Sequence, residues 1–264
     1  MNIETAVSPS ELSRRLAAFP GVAVVDVRRA HAFAEDPHVI PGALRRLPEA
    51  VADWADELER WRDVVVYCVA GHEVGSGVAA ELRARGLAAR HLAGGLAAWR
   101  ESGGRVVPHA PPSRWVTRAR PKIDRIACPW LVRRFIDPAA EIHYVPASEV
   151  RTFAANRGAT PFDIDGATYG HDGDRCSFDA FVRLHELGDP ALTDLARIVR
   201  AADTGAPERA PEAPGLLAAS AGLAALYADD QAMLRAGMLV YDALYLWCRG
   251  RQATRAGESG QVRA

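Results

Sequence analysis

The sequence predicts two domains in series: an α/β domain with a parallel sheet, then a mainly helical α+β domain. Three observations carry this. Residues 22–27 and 64–67 are short β-branched runs and 88–92 reads as a further short strand, all separated by helical patterns, the alternation of a parallel sheet covered on both faces. Glu101-Ser102-Gly103-Gly104-Arg105-Val106-Val107-Pro108-His109-Ala110-Pro111-Pro112 is dominated by glycine and proline and reads as a linker. Beyond it, apolar residues recur mostly at helical spacing. The expected organisation is a first domain at 1–107, a linker at 108–114, a second domain at 115–249 and a disordered polar tail at 250–264.

In the first domain, Ser8 or Ser10 caps a helix with Leu12, Leu16 and Phe19 on one face, broken by Pro20-Gly21. Residues 22–27 form a strand that runs into Asp26-Val27-Arg28. Pro41-Gly42-Ala43 is a tight turn into another short strand. Residues 49–61 are amphipathic, with Val51, Trp54, Leu58 and Trp61 read as core. The run 64–67 lacks polar alternation and stops at Cys68. The loop Val69, Ala70, Gly71, His72 and Glu73 then leads into a helix over 74–85, from Val74, with Gly86 as its stop. A strand at 88–92 and a short helix from Gly94-Gly95 through Trp99 complete the domain.

In the second domain, residues 115–123 read as a strand. Residues 124–137 read as a helix with Ile126, Trp130, Leu131 and Phe135 inward and Arg125, Arg133 and Arg134 outward. Pro129 fits only near its first turn, which makes Asp124 or Cys128 the cap. Strands follow at 142–145 and 163–169, and helices at 178–187, 190–202, 216–226 and 231–248. Tyr227, Tyr241, Tyr245 and Trp247 have the spacing of core packing.

Composition narrows the function classes. The 264 residues are 49% hydrophobic and 25% charged with a net charge of −1, an ordinary globular balance that gives no general argument for nucleic-acid binding. No stretch approaches the roughly 20 apolar residues of a membrane span, and the first residues do not read as a signal peptide. Four cysteines without a CxxC pair do not make a disulfide framework. A reduced, cytoplasmic location is expected, without nucleic-acid or membrane partners.

Cys68 is the candidate nucleophile. It sits at a strand end facing a helix N-terminus, whose unpaired amides and partial positive charge favour a thiolate and bind an anion beside it. The alternative is a small apolar cysteine buried at a strand end. His72 is either a cationic or hydrogen-bonding group of the loop or a solvated residue, and Glu73 repels a doubly charged anion.

A second candidate is the glycine- and aspartate-rich loop 169–178. There His171 and Cys176, with His185 and Asp203 and a further carboxylate from Glu212, either ligate a metal ion or form a loop-stabilising hydrogen-bond network. A third is the basic set Lys122, Arg125 and Arg133, with Arg118, Arg120 and Arg134, which receives an oxyanion or forms a solvated face.

The ordered series Val24-Val25-Asp26-Val27-Arg28, His38-Val39-Ile40-Pro41-Gly42-Ala43, Val66-Tyr67-Cys68 and Leu92-Ala93-Gly94-Gly95-Leu96-Ala97-Ala98-Trp99, with Gly103, resembles a single rhodanese domain over roughly residues 8–107. That resemblance implies that Cys68 carries sulfane sulfur as a persulfide cradled by loop amides, with no cofactor needed for the transfer. It implies a small sulfur donor, thiosulfate or a persulfide, and a thiophilic acceptor. It also places Asp26 and Arg28 near the mouth of the site, where the alternative is an ordinary strand-end ion pair. Many rhodaneses hold thiosulfate with a basic residue in this loop; Val69, Ala70, His72 and Glu73 stand here, which counts against thiosulfate.

Asp124-Arg125-Ile126-Ala127-Cys128-Pro129-Trp130-Leu131, Asp189-Pro190-Ala191-Leu192, Pro211-Glu212-Ala213-Pro214-Gly215-Leu216 and Tyr241-Asp242-Ala243-Leu244-Tyr245 resemble the C-terminal domain of ChrB chromate-resistance proteins over roughly 115–249. The expected function is sulfur transfer coupled to chromate or oxyanion resistance. The rival is a non-catalytic chromate or redox sensor, or a metal-binding accessory protein.

Overall fold

A computed structural model describes residues 5–19 and 21–261. The chain divides into two compact units, 1–111 and 112–264.

The first unit runs β1 (Ala6–Val7), α1 (Pro9–Ala17), β2 (Ala23–Asp26), α2 (Ala30–Glu35), β3 (His38–Val39), β4 (Leu44–Arg45), α3 (Val51–Trp54), β5 (Val64–Tyr67), α4 (Glu73–Ala84), β6 (Ala89–Leu92), α5 (Gly95–Glu101) and β7 (Val107–Pro108). A parallel five-stranded sheet has the order β1-β6-β5-β2-β4, and β3 and β7 make a separate antiparallel ribbon. The central strand β5 is wholly buried because both faces are covered. Its alternate residues serve opposite faces. Val64 and Val66 pack with Trp54, Leu58, Val78 and Leu82, while Val65 and Tyr67 pack with Leu12, Leu92, Leu96 and Trp99. Ser8 caps α1, its side chain accepting from the Glu11 amide, with Pro9 in the first turn. Pro20, expected to break this helix, lies outside the described residues.

Two expectations change here. The pattern over 49–61 is not one helix: α3 has four residues between 3₁₀ turns at Pro48–Ala50 and Ala55–Glu57. Leu58 is extended, so Trp61 leaves the buried face and is 37% exposed. Val107–Pro108 pairs with β3 and Arg114 opens the next strand, so the segment between elements is 109–113.

The second unit runs β8 (Arg114–Arg118), α6 (Ile123–Leu131), β9 (Glu141–Val145), α7 (Val150–Arg157), β10 (Thr160–Pro161), α8 (Ser177–Leu184), α9 (Pro190–Asp203), α10 (Ala213–Leu226) and α11 (Asp230–Gln261). Its parallel sheet has the order β10-β8-β9. The core gathers around Trp130, whose ring packs against Phe135, Phe178, Tyr241 and Tyr245 at centroid distances of 5.5–6.3 Å.

Several details depart from the sequence pattern for identifiable reasons. The strand expected over 115–123 ends at Arg118, because Arg120 takes a left-handed conformation (φ 57°). Its guanidinium donates to the carbonyls of Ala224, Tyr227 and Ala228 at the end of α10, where a cation complements the helix dipole. The strand expected over 163–169 reduces to one bridge, Phe162 to Tyr169, because Asp163 is also left-handed (φ 51°).

Pro129 lies inside α6, not in its first turn. A proline there deprives the carbonyl four residues earlier of its donor. That carbonyl, of Arg125, accepts the Tyr144 hydroxyl from β9 at 2.6 Å. The helix continues as a π turn over Val132–Ile136, with the Asp137 amide bonded to the Val132 carbonyl.

Arg134, expected outward, has only 4% of its side chain exposed and is paired with buried Asp242 of α11. Trp247, expected in the core, is exposed with Arg251 over its ring at 4.7 Å. The tail expected to be disordered from 250 continues α11 to Gln261. Arg251 bonds Glu212 at 2.9 Å and Gln252 bonds Asp194 at 2.7 Å, which holds its first residues. Residues 262–264 lie outside the described residues. Helix α7 was not legible, since only Val150 of its residues is buried. Among the described residues no helix is long and apolar enough to cross a membrane.

Candidate functional site

In the first unit, β2 and β5 end side by side, which brings Asp26 and Cys68 to the same edge of the sheet. Ligands bind at the carboxyl ends of strands in open parallel sheets. Cys68 is 6% exposed and lines a pocket of about 460 Å³ with Arg28, Arg29, His31, His72 and Glu73. The chain from Val69 to His72 is a series of bends. Its amides donate to no other group of the protein among the described residues. The carbonyls of the same segment turn the other way: Cys68 O accepts from Leu96 N at 2.9 Å and Val69 O from Ala97 N at 3.0 Å, capping α5. Helix α4 starts at Glu73, and a Cβ built on Gly75 would stand 3.4 Å from Cys68 Sγ. The thiol therefore shares its pocket with a loop whose amides have no acceptor in the described residues and lies beside the first turn of a twelve-residue helix, the elements from which an anion cradle is built.

Close backbone approach builds this cradle. Gly71 (φ 69°) and Gly95 (φ 57°) are left-handed and press against each other's backbone. A Cβ on Gly95 would collide with the Cys68 carbonyl and stand 2.5 Å from Gly71 N and 2.8 Å from Val69 C. None of these backbone atoms can yield without moving the loop. Gly95→Ala is expected to lower stability by roughly 1–3 kcal/mol and to cut any Cys68 chemistry at least about tenfold. Gly77→Ala, where a Cβ meets nothing within 4 Å, is the control and should leave both unchanged or slightly raise stability. Thermal unfolding and Cys68 reactivity check this; equal effects at both positions would refute the packing argument.

Asp26 and Arg28 are both buried and bound to each other. Arg28 Nε lies 3.0 and 2.9 Å from the two Asp26 carboxylate oxygens, and Arg28 also donates to the carbonyls of Asp36 (2.8 Å) and His38 (2.9 Å). The Tyr67 hydroxyl donates to Asp26 Oδ2 at 3.1 Å and accepts the Ile40 amide at 3.2 Å. Burial, then the Asp26 charge, pushes the Tyr67 hydroxyl well above its usual range. This clasp fixes segment 36–40 on the sheet while one edge of Arg28 lines the pocket.

In the second unit, four separate elements bring acidic and imidazole groups together. His171 Nε2 lies 3.1 Å from Asp203 Oδ2, 3.4 Å from Asp163 Oδ1 and 3.7 Å from Asp124 Oδ2. Asp124 lies in the first turn of α6, Asp163 follows β10 and Asp203 ends α9. Burial, then the charges of Asp203 and Asp163, raises Asp124 well above the usual carboxylate range, and burial, then Asp163, raises Asp203.

The expected metal set is only half assembled. His171 and Asp203 meet, but Cys176 is fully buried at the cap of α8, where burial, then the Asp124 charge, pushes its thiol far up. His185 stacks on Tyr169 and Phe181, with the Tyr169 hydroxyl 3.2 Å from its Nε2, and burial lowers its pKa. Glu212 binds Arg197 and Arg251. Asp124 and Asp163 were missed; the one was read as a helix cap and the other as a strand residue.

The basic set does not converge as an oxyanion site. Arg125 Nε is 3.6 Å from Asp163 Oδ2, Arg118 bonds the same oxygen at 2.9 Å, and Arg133 donates to the Ala140 carbonyl at 3.2 Å. Lys122 is exposed at the N-cap of α6.

Comparison with known proteins follows the same division. Residues 8–102 match the family described as rhodanese-like domain, and residues 115–248 that described as ChrB, C-terminal domain. Protein ChrB of Cupriavidus metallidurans is 38% identical over 133 residues, which cover 50% of this chain and 40% of that protein. The chain thus matches less than half the length of this curated relative. Among solved structures, a rhodanese-like domain from Anabaena sp. is 32% identical, covering 40% of this chain and 80% of its own (TM-score 0.36). A rhodanese-like domain protein from Staphylococcus aureus is 24% identical, covering 40% of this chain and 99% of its own (TM-score 0.36). With more than half of its length accounted for by that second match, and a rhodanese-like domain ahead of it, the chain belongs to the ChrB C-terminal domain family.

Proposed function

We propose that the chain is a cytoplasmic sulfurtransferase whose first unit carries sulfane sulfur as a persulfide on Cys68, in the service of chromate or oxyanion resistance. One observation carries the reading: the Cys68 thiol lines a pocket together with a loop of unpartnered amides and the first turn of a helix. The rhodanese-like match supports it, and the ChrB-type second unit supports the link to chromate.

The chemistry balances without a cofactor. The Cys68 thiolate attacks the outer sulfur of the donor; a Cys68 S–S bond forms, the donor's own bond to that sulfur breaks, and its electron pair leaves with sulfite or a thiolate. The terminal sulfur then passes to an acceptor such as cyanide, giving thiocyanate and restoring the Cys68 thiolate. The amides hold the anionic terminal sulfur between the two steps. Glu73 beside the pocket disfavours a doubly charged donor, so a persulfide is the better substrate than thiosulfate.

The test is the full chain with glutathione persulfide or thiosulfate, read by intact mass and by turnover to thiocyanate with cyanide. One added sulfur atom on Cys68 and many turnovers, faster from the persulfide, are expected. No added sulfur from either donor, or a single reaction per chain without turnover, would overturn the enzyme reading in favour of a sensor.

A further inference from the structure

We infer that Asp124, Asp163, His171 and Asp203 of the second unit bind one divalent first-row transition cation that accepts mixed carboxylate and imidazole donors, such as Mn²⁺, Fe²⁺ or Zn²⁺. One ligand atom each from Asp124, Asp163 and His171 lies within 4.8 Å of the others. Asp203 adds the carboxylate nearest to the imidazole nitrogen, at 3.1 Å.

The distances favour a shared ion over a hydrogen-bonded salt bridge. Charge-assisted N–H···O bonds run about 2.7–2.9 Å, and one Nε2–H can point at one acceptor. Here one nitrogen has three carboxylates around it at 3.1, 3.4 and 3.7 Å. With metal–ligand bonds of about 2.0–2.2 Å, neighbouring ligand atoms of one ion stand about 2.8–3.6 Å apart. The distances to Asp203 and Asp163 fall within that spacing, and the 3.7 Å to Asp124 lies just beyond it.

An independent observation comes from Asp124. The residue is 1% exposed. Its Oδ2 accepts the Ser177 amide at 2.5 Å, yet its equally buried Oδ1 has no hydrogen-bond partner among the described residues. The Cys176 thiol, a weak sulfur donor, is the one other side chain among the described residues that interacts with this carboxylate by hydrogen bonding. A buried carboxylate oxygen without a donor is rare in folded proteins, and a cation satisfies it. The other oxygens are already oriented: Asp163 Oδ1 accepts the Ser177 hydroxyl at 3.1 Å, and Asp203 Oδ1 accepts the Asp124 amide at 3.3 Å. Such outer contacts aim ligands at a metal. His171 is 42% exposed and gives the ion a way in. Three carboxylates with one imidazole suit the harder and borderline ions of the first row, and no thiolate is available to select a soft one.

The test uses the full chain, stripped with chelator and titrated with MnCl₂ (free Mn²⁺ read by electron paramagnetic resonance) or with ZnCl₂ (bound metal read by elemental analysis after dialysis). One equivalent of at least one ion is expected. His171→Ala and Asp203→Asn should each weaken it at least about tenfold, since even outer-shell changes cost that much, while Cys68→Ser leaves it unchanged. Both variants alter partly exposed side chains, and circular dichroism confirms their fold. No binding of either ion at millimolar concentration would overturn the assignment. Binding indifferent to both variants, or lost in Cys68→Ser, would do the same.

Discussion

Cys68→Ser is expected to reduce sulfur transfer to the uncatalysed rate, a loss of at least about 10³-fold. A serine hydroxyl cannot form the persulfide, so the exchange fails even with the amide cradle intact. The cradle should remain, because position 68 holds α5 through its carbonyl and not its side chain. The other three cysteines offer no substitute. All are free and fully buried. Burial raises the thiol of Cys128, that of Cys176, and that of Cys248 to about 11. Steady-state thiocyanate formation and intact mass after donor treatment are the measurements. Residual turnover within tenfold of the wild type would remove Cys68 from the mechanism.

The largest loss of stability is expected at Asp242. This residue, 1% exposed, accepts Trp130 Nε1 at 2.8 Å and Arg134 Nε at 2.9 Å on one oxygen, and Arg134 Nη2 at 2.8 Å on the other. It ties the end of α6 and the π turn to α11. Asp242→Ala takes this counter-charge from a buried guanidinium and an acceptor from a buried indole. Breaking a buried pair on one side is destabilising by about 3–5 kcal/mol. Asp242→Asn keeps an acceptor for Trp130 and should lose less. Urea unfolding followed by tryptophan fluorescence measures it, and the difference should persist in high salt, since buried pairs are screened weakly. A loss below about 1 kcal/mol for Asp242→Ala would show that the pair is not holding the two helices together.

The first unit was legible in the sequence where burial and chain direction coincide. The run Val64–Tyr67 announced a strand buried on both faces, and the glycines at 71, 94 and 95 marked turns; that Gly71 and Gly95 also press backbone on backbone was not legible. Periodicity failed at Trp61, because helical spacing cannot reveal that the chain has already turned at Leu58. In the second unit the errors share a cause: long-range polar pairing. Arg134 looks solvated until Asp242, more than a hundred residues away, is brought beside it. Asp124 and Asp163 look like a cap and a strand residue until His171 and Asp203 converge on them. A positive φ at Asp163 has no strong residue signal, since aspartate tolerates it without announcing it. His171 and Asp203 were chosen because their residue types ligate metals, and the fold brings them together; Cys176, chosen on the same ground, is buried beside Asp124 at the cap of α8, and His185 stacks on Tyr169 and Phe181.

Pro129 has a consequence for how the second unit becomes ordered. By withholding a backbone donor it leaves the Arg125 carbonyl to be completed by the Tyr144 hydroxyl. Helix α6 therefore cannot finish its own backbone bonding from local sequence; a strand residue supplies the missing donor. Secondary structure and tertiary contact become one event at this point. The first turn of the same helix holds Asp124, so the segment that carries one member of the acidic cluster has its next carbonyl tied to β9.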